Sequence, residues 1–239
     1  PFRTIFLATA ALIIVDGVFL AFLPFPSFEW TVKAKDAPKE RMQFTPSAVV
    51  LVCLGFTTST TFMLWINCNQ ELGALYGLTD PSRIQSFYSV GIVLALFASA
   101  TLLKRNVEPA KTLVAYPTVA LATLVAIYLV QEPVMCLAGS FLLGFFAAGG
   151  VLQLVTAVAN EMFPKKRGVI TSVVMIASSV ANYLVVLTRI GGIESPQLVL
   201  LFNMAVMLNG ILLALYLNVS LKRERPGAVE AAAAMEAQR

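Results

Sequence analysis

An all-α integral membrane protein with seven transmembrane helices is predicted by three features of this 239-residue sequence. Hydrophobic residues make up 58% of it and charged ones only 13%, with a mean hydropathy of +0.81; a soluble domain carries about 25% charged residues. The apolar residues fall into seven runs. Each is close to the ~20 residues that a helix rising ~1.5 Å per residue needs to cross a hydrocarbon layer of ~30 Å. The basic residues alternate as well: 14 of the 17 Lys and Arg fall in every second connection. The protein's lipid partner is therefore the bilayer itself.

The chain opens at Pro1, without an initiator methionine, and enters its first apolar run at residues 4–23. A cleaved signal peptide has a basic start, a shorter apolar core and a small-residue cleavage site. This run instead reaches Pro24 at spanning length, so it is expected to be a true span in the later part of a longer protein. Residues 24–45 are the only long hydrophilic interval and carry Lys33, Lys35, Lys39 and Arg41. They are expected to form a cytoplasmic linker, a plain tether or one with a short surface helix held by Phe28 and Trp30. Six further spans are placed near 47–68, 84–103, 112–130, 133–159, 169–187 and 197–219. The connection 69–83 is polar, 104–111 is basic, and Gln131 and Glu132 make a tight turn. The turn 160–168 holds Pro164, Lys165, Lys166, Arg167 and Gly168. Its proline and glycine interrupt the helix, and its three consecutive cations resist crossing the membrane. After 188–196 comes the last span and a tail, 220–239, expected to be frayed or disordered, with helix open to its alanine run.

Linker, 104–111 turn, 160–168 turn and tail all lie on one side if the span count is right, and they hold the 14 basic residues. Arg3, Arg83 and Arg189 fall on the other. The positive-inside rule then puts the C-terminus in the cytoplasm.

Composition also excludes function classes. Histidine is absent, so no His-based triad or His metal site is expected, and no Gly-x-Ser-x-Gly turn or phosphate-cradling glycine loop occurs. No enzyme activity, cofactor or metal is called for. The net charge of +4 is spread in short blocks between spans, which argues against a nucleic-acid partner. Cys53, Cys68 and Cys136 lie in or at the ends of apolar runs and read as small packing residues.

Polar residues at membrane depth are costly unless they have work or a partner. The second span and its outer end, GFTTSTTFMLWINCNQELGALYG, are the richest in them. Thr57, Thr61 and Trp65 share a helix face at i, i+4 and i+8, and Asn67, Asn69, Gln70 and Glu71 follow. Hydroxyls, amides and an indole suit a neutral polyhydroxylated or otherwise polar small-molecule solute held by hydrogen bonds and stacking. Threonines also bond their own i−4 carbonyls, and 69–71 also read as a solvated loop. Further candidates are Gln85, Tyr88, Asn182, Tyr183, Asn203 and Asn209, each with helix–helix hydrogen bonding as the competing role. Asp16 is the one charge deep in an apolar run. Desolvation favours the protonated form of a carboxyl, so Asp16 is a candidate for proton coupling, with a structural ion pair as the competing role. Glu71 is the second candidate.

One span, a long basic linker and six spans in short-loop hairpins is an arrangement that resembles the major facilitator superfamily. The best local likeness is the turn NEMFPKKRG followed by the small-residue run SVVMIASSVANY, similar to the family's crossing between helices ten and eleven. The family's glycine- and aspartate-bearing turn between helices eight and nine is reduced here to LLKRNVEPAK. The resemblance implies that residues 1–23 are the sixth helix, ending the N-terminal half, and that 24–45 are the central loop. It makes 46–219 helices seven to twelve and 220–239 a cytoplasmic tail. It implies secondary active transport of a small polar solute by alternating access, proton-coupled uptake first, with the N-terminal six-helix half of the same protein as partner. The outer end of helix seven would be unwound, which Gly73 and Gly77 permit, and the turn 164–168 would gate the cytoplasmic side. The small residues Gly139, Gly144, Ala147, Ala148, Gly149 and Gly150, with Ala177, Ser178, Ser179 and Ala181, suit sliding contacts or static close packing equally. Two other readings stand beside this one. An efflux pump for drugs or amphipathic metabolites would use Phe22, Phe62, Trp65, Phe87, Phe145 and Phe146, and a non-transporting membrane sensor or enzyme is the remote alternative.

Overall fold

A computed structural model describes residues 2–22, 45–104, 109–164, 166–190 and 195–236. The described residues are helices joined by short turns, with no strand among them. They divide into two units, 1–42 and 43–239. In the first unit, α1 (Phe2–Phe22) presents exposed side chains throughout its described length, Asp16 among them. The expected linker, whether a plain tether or one with a short helix at Phe28 and Trp30, lies outside the described residues up to residue 44.

The second unit is a bundle of α2 (Pro46–Leu75), α3 (Ser82–Lys104), α4 (Pro109–Val130), α5 (Pro133–Leu143), a π-turn (Gly144–Ala148), α6 (Val151–Met162), α7 (Arg167–Ile190) and α8 (Pro196–Glu236). Among the described residues, five helical stretches are long and apolar enough to cross a membrane: Pro46–Leu75, Ser82–Thr101, Lys111–Val130, Pro133–Met162 and Pro196–Leu221. Seven spans were expected from the sequence. Of the other two, α1 contributes a shorter apolar stretch, Phe6–Phe22, and the described side chains of α7 stop at Tyr183.

Helix α2 is the axis of the bundle, packing most extensively on α8 and then on α7, while α3 packs on α5 and the π-turn. Thr45 caps its start, with Oγ1 accepting from the Ala48 amide at 3.3 Å, and Pro46 occupies the first helical position where no amide is needed. Against α8 it runs antiparallel. Ser47 and Ser220 share a hydroxyl hydrogen bond of 2.7 Å at one end, Gly210 lies against Thr57, and Asn203 Nδ2 donates to the Thr61 carbonyl at 3.1 Å. In lipid such interhelical bonds carry weight because apolar contact gives little drive toward association.

Several expected boundaries and local shapes differ in the structure. The connection 69–83 is far shorter than read, because α2 continues as regular helix through Asn69–Leu75 and turns only at Gly77, whose φ of +83° suits glycine. Gly73 is consequently helical rather than unwound; the Ile84 side chain fills the space where a Cβ would stand. The span expected at 133–159 is present as Pro133–Met162, with a break inside it. The Gly149 amide bonds the Gly144 carbonyl at 2.9 Å, a wide i→i+5 turn, and α6 starts afresh at Val151. The basic turn is also tighter, since Arg167 and Gly168 already belong to α7. Helix α8 runs on to Glu236, so its alanine-rich end is helical where fraying was expected.

Glycines let α3 meet the π-turn backbone to backbone. A Cβ on Gly91 would overlap the Phe141 carbonyl oxygen, and one on Gly144 would overlap the Tyr88 carbonyl oxygen. This is the static close packing that the run GSFLLGFFAAGG allowed.

Candidate functional site

The polar residues of α2 sort onto two faces. At ~100° per residue, Thr57, Thr61, Trp65 and Asn69 wind along one side, and all four are buried. Asn67 and Glu71 stand roughly 160–200° round from Asn69, and both are exposed, as is Gln70. Cys53, Asn67, Gln70 and Ala74 mark this open stripe along the helix. The sequence-predicted residues thus lie on two faces of α2 rather than one.

On the buried face the hydroxyls are largely used up locally. Thr57 Oγ1 donates to Leu54 O at 3.0 Å, Thr60 Oγ1 to Phe56 O at 2.9 Å and Thr61 Oγ1 to Thr57 O at 3.0 Å. That is the back-bonding role, which spares the hydroxyl an unpartnered state in a dry interior. Further along the helix the picture reverses. The Trp65 indole N–H and both side-chain atoms of Asn69 are buried with no hydrogen-bond partner among the described residues, and so are the Tyr88 hydroxyl and Asn203 Oδ1. Tyr88 lies in the same buried cluster as Trp65, with Cys68, Leu72, Cys136 and Leu143.

On the open face, Asn67 Nδ2 donates to the Met63 carbonyl at 2.8 Å. Gln85 is half-buried near the start of α3, and its carbonyl accepts from Ser89 Oγ at 2.9 Å. Asn182 and Tyr183 are exposed on α7, and Asn209 is exposed on α8. None of these four is fully buried.

At the basic turn Pro164 is exposed, Lys166 is half-buried, and Arg167 and Gly168 open α7; Lys165 lies outside the described residues. Thr171 Oγ1 donates to Asn160 Oδ1 at 3.0 Å and so ties α6 to α7 across the turn. Sequence reasoning passed over this pair in favour of the cations. A polar residue on either side of a short interhelical turn was the available signal. Ser178 Oγ reaches the Gly55 carbonyl at 3.4 Å, linking α7 to α2.

The aromatic residues also divide. Phe145 and Phe146, in the π-turn, stack edge-on with ring centroids 4.8 Å apart, and Phe146 meets Tyr116 of α4 at 5.2 Å. Phe87 lines a separate apolar groove of about 560 Å³ with Ser86, Val90, Ala138, Phe141 and Leu142, between α3 and α5. Among the described residues no three His, Cys, Asp or Glu come together as a metal site would require.

No family model matches the chain. It is 34% identical over 141 residues to the inner membrane transport protein YdiN of Escherichia coli (strain K12), covering 58% of this chain and 33% of YdiN. It is 28% identical over 238 residues to YfkL of Bacillus subtilis (strain 168), an uncharacterized MFS-type transporter, covering 91% of this chain and 57% of YfkL. The inner membrane transport protein YdiM of E. coli is 25% identical over 228 residues, 92% of this chain and 56% of YdiM. The chain thus spans about a third of YdiN and somewhat over half of YfkL and YdiM.

Proposed function

We propose that this chain, which belongs to the major facilitator superfamily of membrane transporters, works as residues 1–23 and 46–219 of a secondary active transporter for a small polar solute. The first segment ends the N-terminal half and the second forms the C-terminal half, which needs the N-terminal six helices as its other wall. Solute would bind between the halves, and rocking of one against the other would alternate access. The observation that carries this reading is the polar content of α2. The central helix of a membrane bundle holds an indole, an amide and five consecutive hydroxyl residues on or near its buried side. Asn67, Gln70 and Glu71 extend polar chemistry along its open side. Membrane proteins retain such groups at depth where they meet a solute or each other.

Proton-coupled uptake follows from the two carboxylates at hand, Asp16 on α1 and Glu71 on the open stripe of α2. In this reading the turn 164–168 closes the cytoplasmic side and the C-terminus is cytoplasmic in a bacterial inner or plasma membrane, which the distribution of Lys and Arg supports. Efflux of amphipathic compounds is the second reading, favoured by the apolar groove at Phe87 and Phe141.

The test uses the full-length protein in energised vesicles, offered labelled sugars, polyols, amino acids and lipophilic cations with and without a proton gradient. Gradient-dependent accumulation of a polar solute, abolished in Asp16→Asn while exchange persists, supports coupled uptake through Asp16. Expulsion of lipophilic cations alone would replace it with efflux. Unaltered accumulation in Asp16→Asn would move the coupling role to Glu71 or to the other half.

A further inference from the structure

Two helices of the bundle, α6 and α7, carry polar sides that face out of it. At ~100° per residue, with Val151 as zero, the buried residues of α6 fall between about −60° and 80°. The opposite sector, roughly 140–240°, holds Gln153, Thr156, Ala157 and Asn160, of which Gln153 is exposed and the others half-buried. Helix α7 has three sides. With Ile170 as zero, the buried Ile170, Val174 and Ala181 fall within about 40° of one another. Exposed Val169, Ile176 and Val180 lie at roughly 240–280°, an apolar side suited to lipid. Thr171, Ser172, Ser178, Ser179 and Asn182 lie at roughly 80–200° and are exposed or half-buried. The hydrogen bond from Thr171 to Asn160 joins this sector to the polar sector of α6. Seven residues from that bond along each helix, ~10 Å, Gln153 stands level with Ser178 and Ser179.

The outer helices differ. Helix α4 exposes Val119, Val125 and Leu129, with the Thr118 hydroxyl bonded back to the Val114 carbonyl at 2.8 Å. Helix α8 exposes Leu201, Leu208, Leu212 and Leu215, interrupted by Asn209. Amides and hydroxyls at membrane depth persist where they meet water, a solute or one another, and lipid offers them none of these.

We propose that the polar sides of α6 and α7 form one wall of a water-filled cleft between the halves, and that Gln153, Thr156, Ser179 and Asn182 hydrogen-bond a neutral, hydroxyl-bearing solute there. The site rests on the transport reading and narrows its substrate class. The hydroxyls of Thr156 and Ser179 already donate to the Gln153 and Met175 carbonyls at 2.8 and 2.9 Å, so toward a solute their oxygens act as acceptors. The amides of Gln153 and Asn182 add donors. Hydroxyl groups, which both give and take hydrogen bonds, match that set. Neither 151–160 nor 169–183 contains Asp, Glu, Lys or Arg, so an ionised solute would find no counter-charge on this wall. The part of YfkL and YdiM beyond this chain, somewhat under half of each, is where the facing wall would come from.

The test uses the full-length protein in proteoliposomes, with Cys53 replaced by alanine. Gln153→Cys and Ser179→Cys should react with a water-soluble methanethiosulfonate, since the reactive thiolate forms in contact with water. Val125→Cys and Leu212→Cys, on the apolar sides of α4 and α8, should stay unlabelled. Erythritol, D-xylose and myo-inositol serve as neutral probes, L-glutamate and choline as charged ones. The neutral probe that wild type moves best should slow the labelling of Gln153→Cys. In Gln153→Leu its half-saturating concentration should rise roughly tenfold, the loss of about one hydrogen bond. Ile176→Ala, on the lipid side of α7, should leave it unchanged. Labelling of Gln153→Cys as slow as that of Val125→Cys overturns the wall and puts these residues against lipid or a packed helix. Fast labelling that no probe slows, with half-saturation unchanged in Gln153→Leu, overturns the binding site. A wild type that moves only glutamate or choline overturns the neutral class while leaving transport standing. If wild type moves no probe, the transport reading fails and the site with it, and the labelling contrast still decides whether this face is wet.

Discussion

Replacing Gly144 by alanine is the sharpest probe of the bundle's geometry. The added Cβ would overlap the Tyr88 carbonyl oxygen and crowd that residue's carbonyl carbon and Cα, at 3.0 and 3.2 Å. All three neighbours are backbone, so no rotamer change relieves the overlap, and α3 must move off the π-turn as a body. Overpacking of this kind costs ~1–3 kcal/mol. Alanine regains up to ~1 kcal/mol over glycine in a helix interior, so a net loss of about 1–2 kcal/mol is expected. The matched control is Gly168→Ala at the start of α7, where nothing lies within 4 Å of the new Cβ; it should be neutral or gain a few tenths of a kcal/mol. Reversible unfolding of both variants in bicelles, measured side by side, gives the two numbers. Equal stability of Gly144→Ala and Gly168→Ala would refute the backbone contact between α3 and the π-turn.

Asn203→Leu should cost ~0.6–1.7 kcal/mol, the range for interhelical hydrogen bonds in membranes, by losing the bond from Nδ2 to the Thr61 carbonyl; the same unfolding assay reads it. Cys53 is exposed on the open stripe of α2 while Cys68 and Cys136 are buried. If that stripe lines the solute pathway, a hydrophilic thiol reagent should modify Cys53 alone in intact vesicles, whereas no reaction would turn the stripe toward lipid. Hydrogen bonds from the Ser82 hydroxyl and amide, aided by Arg83, hold the Asp80 carboxyl below the usual carboxylate range. Its support of the α3 N-terminus is therefore complete above about pH 4 and lost as pH falls through the lowered folded value. Hydrogen exchange at the Ser82 amide should accelerate over that window and show no such step in Asp80→Asn.

Much of the architecture could be read directly from the residues. Apolar runs near 20 residues and basic connections placed the helices of the bundle, because lipid forces every spanning backbone to satisfy itself within a helix. The end of α2 was misplaced because Asn69, Gln70 and Glu71 have loop-like composition, whereas their helix is held by tertiary packing of Leu72 and Gly73. The division of the site was within reach: a 100° step puts Asn67 and Glu71 opposite Trp65 and Asn69. The π-turn was not, since GFFAA reads as ordinary apolar helix and the wide turn is set by the contact with α3. Partnering was equally hidden. Thr61 and Asn69 look alike as buried polar residues, but one bonds its own helix and the other bonds nothing described.

The π-turn amounts to an insertion absorbed without a loop. A wide turn lodges about one residue more than an α-turn between the same two points, so everything after Gly150 is rotated by roughly 100° from where an uninterrupted helix would put it. Val151, Leu154, Val155, Val158 and Ala159 are the buried face of α6 in that rotated register. Deleting a single residue from 144–148 would leave composition and hydropathy almost unchanged and yet turn this face away from α2. In this crossing a count of residues, rather than their chemistry, decides which side of the helix is inside.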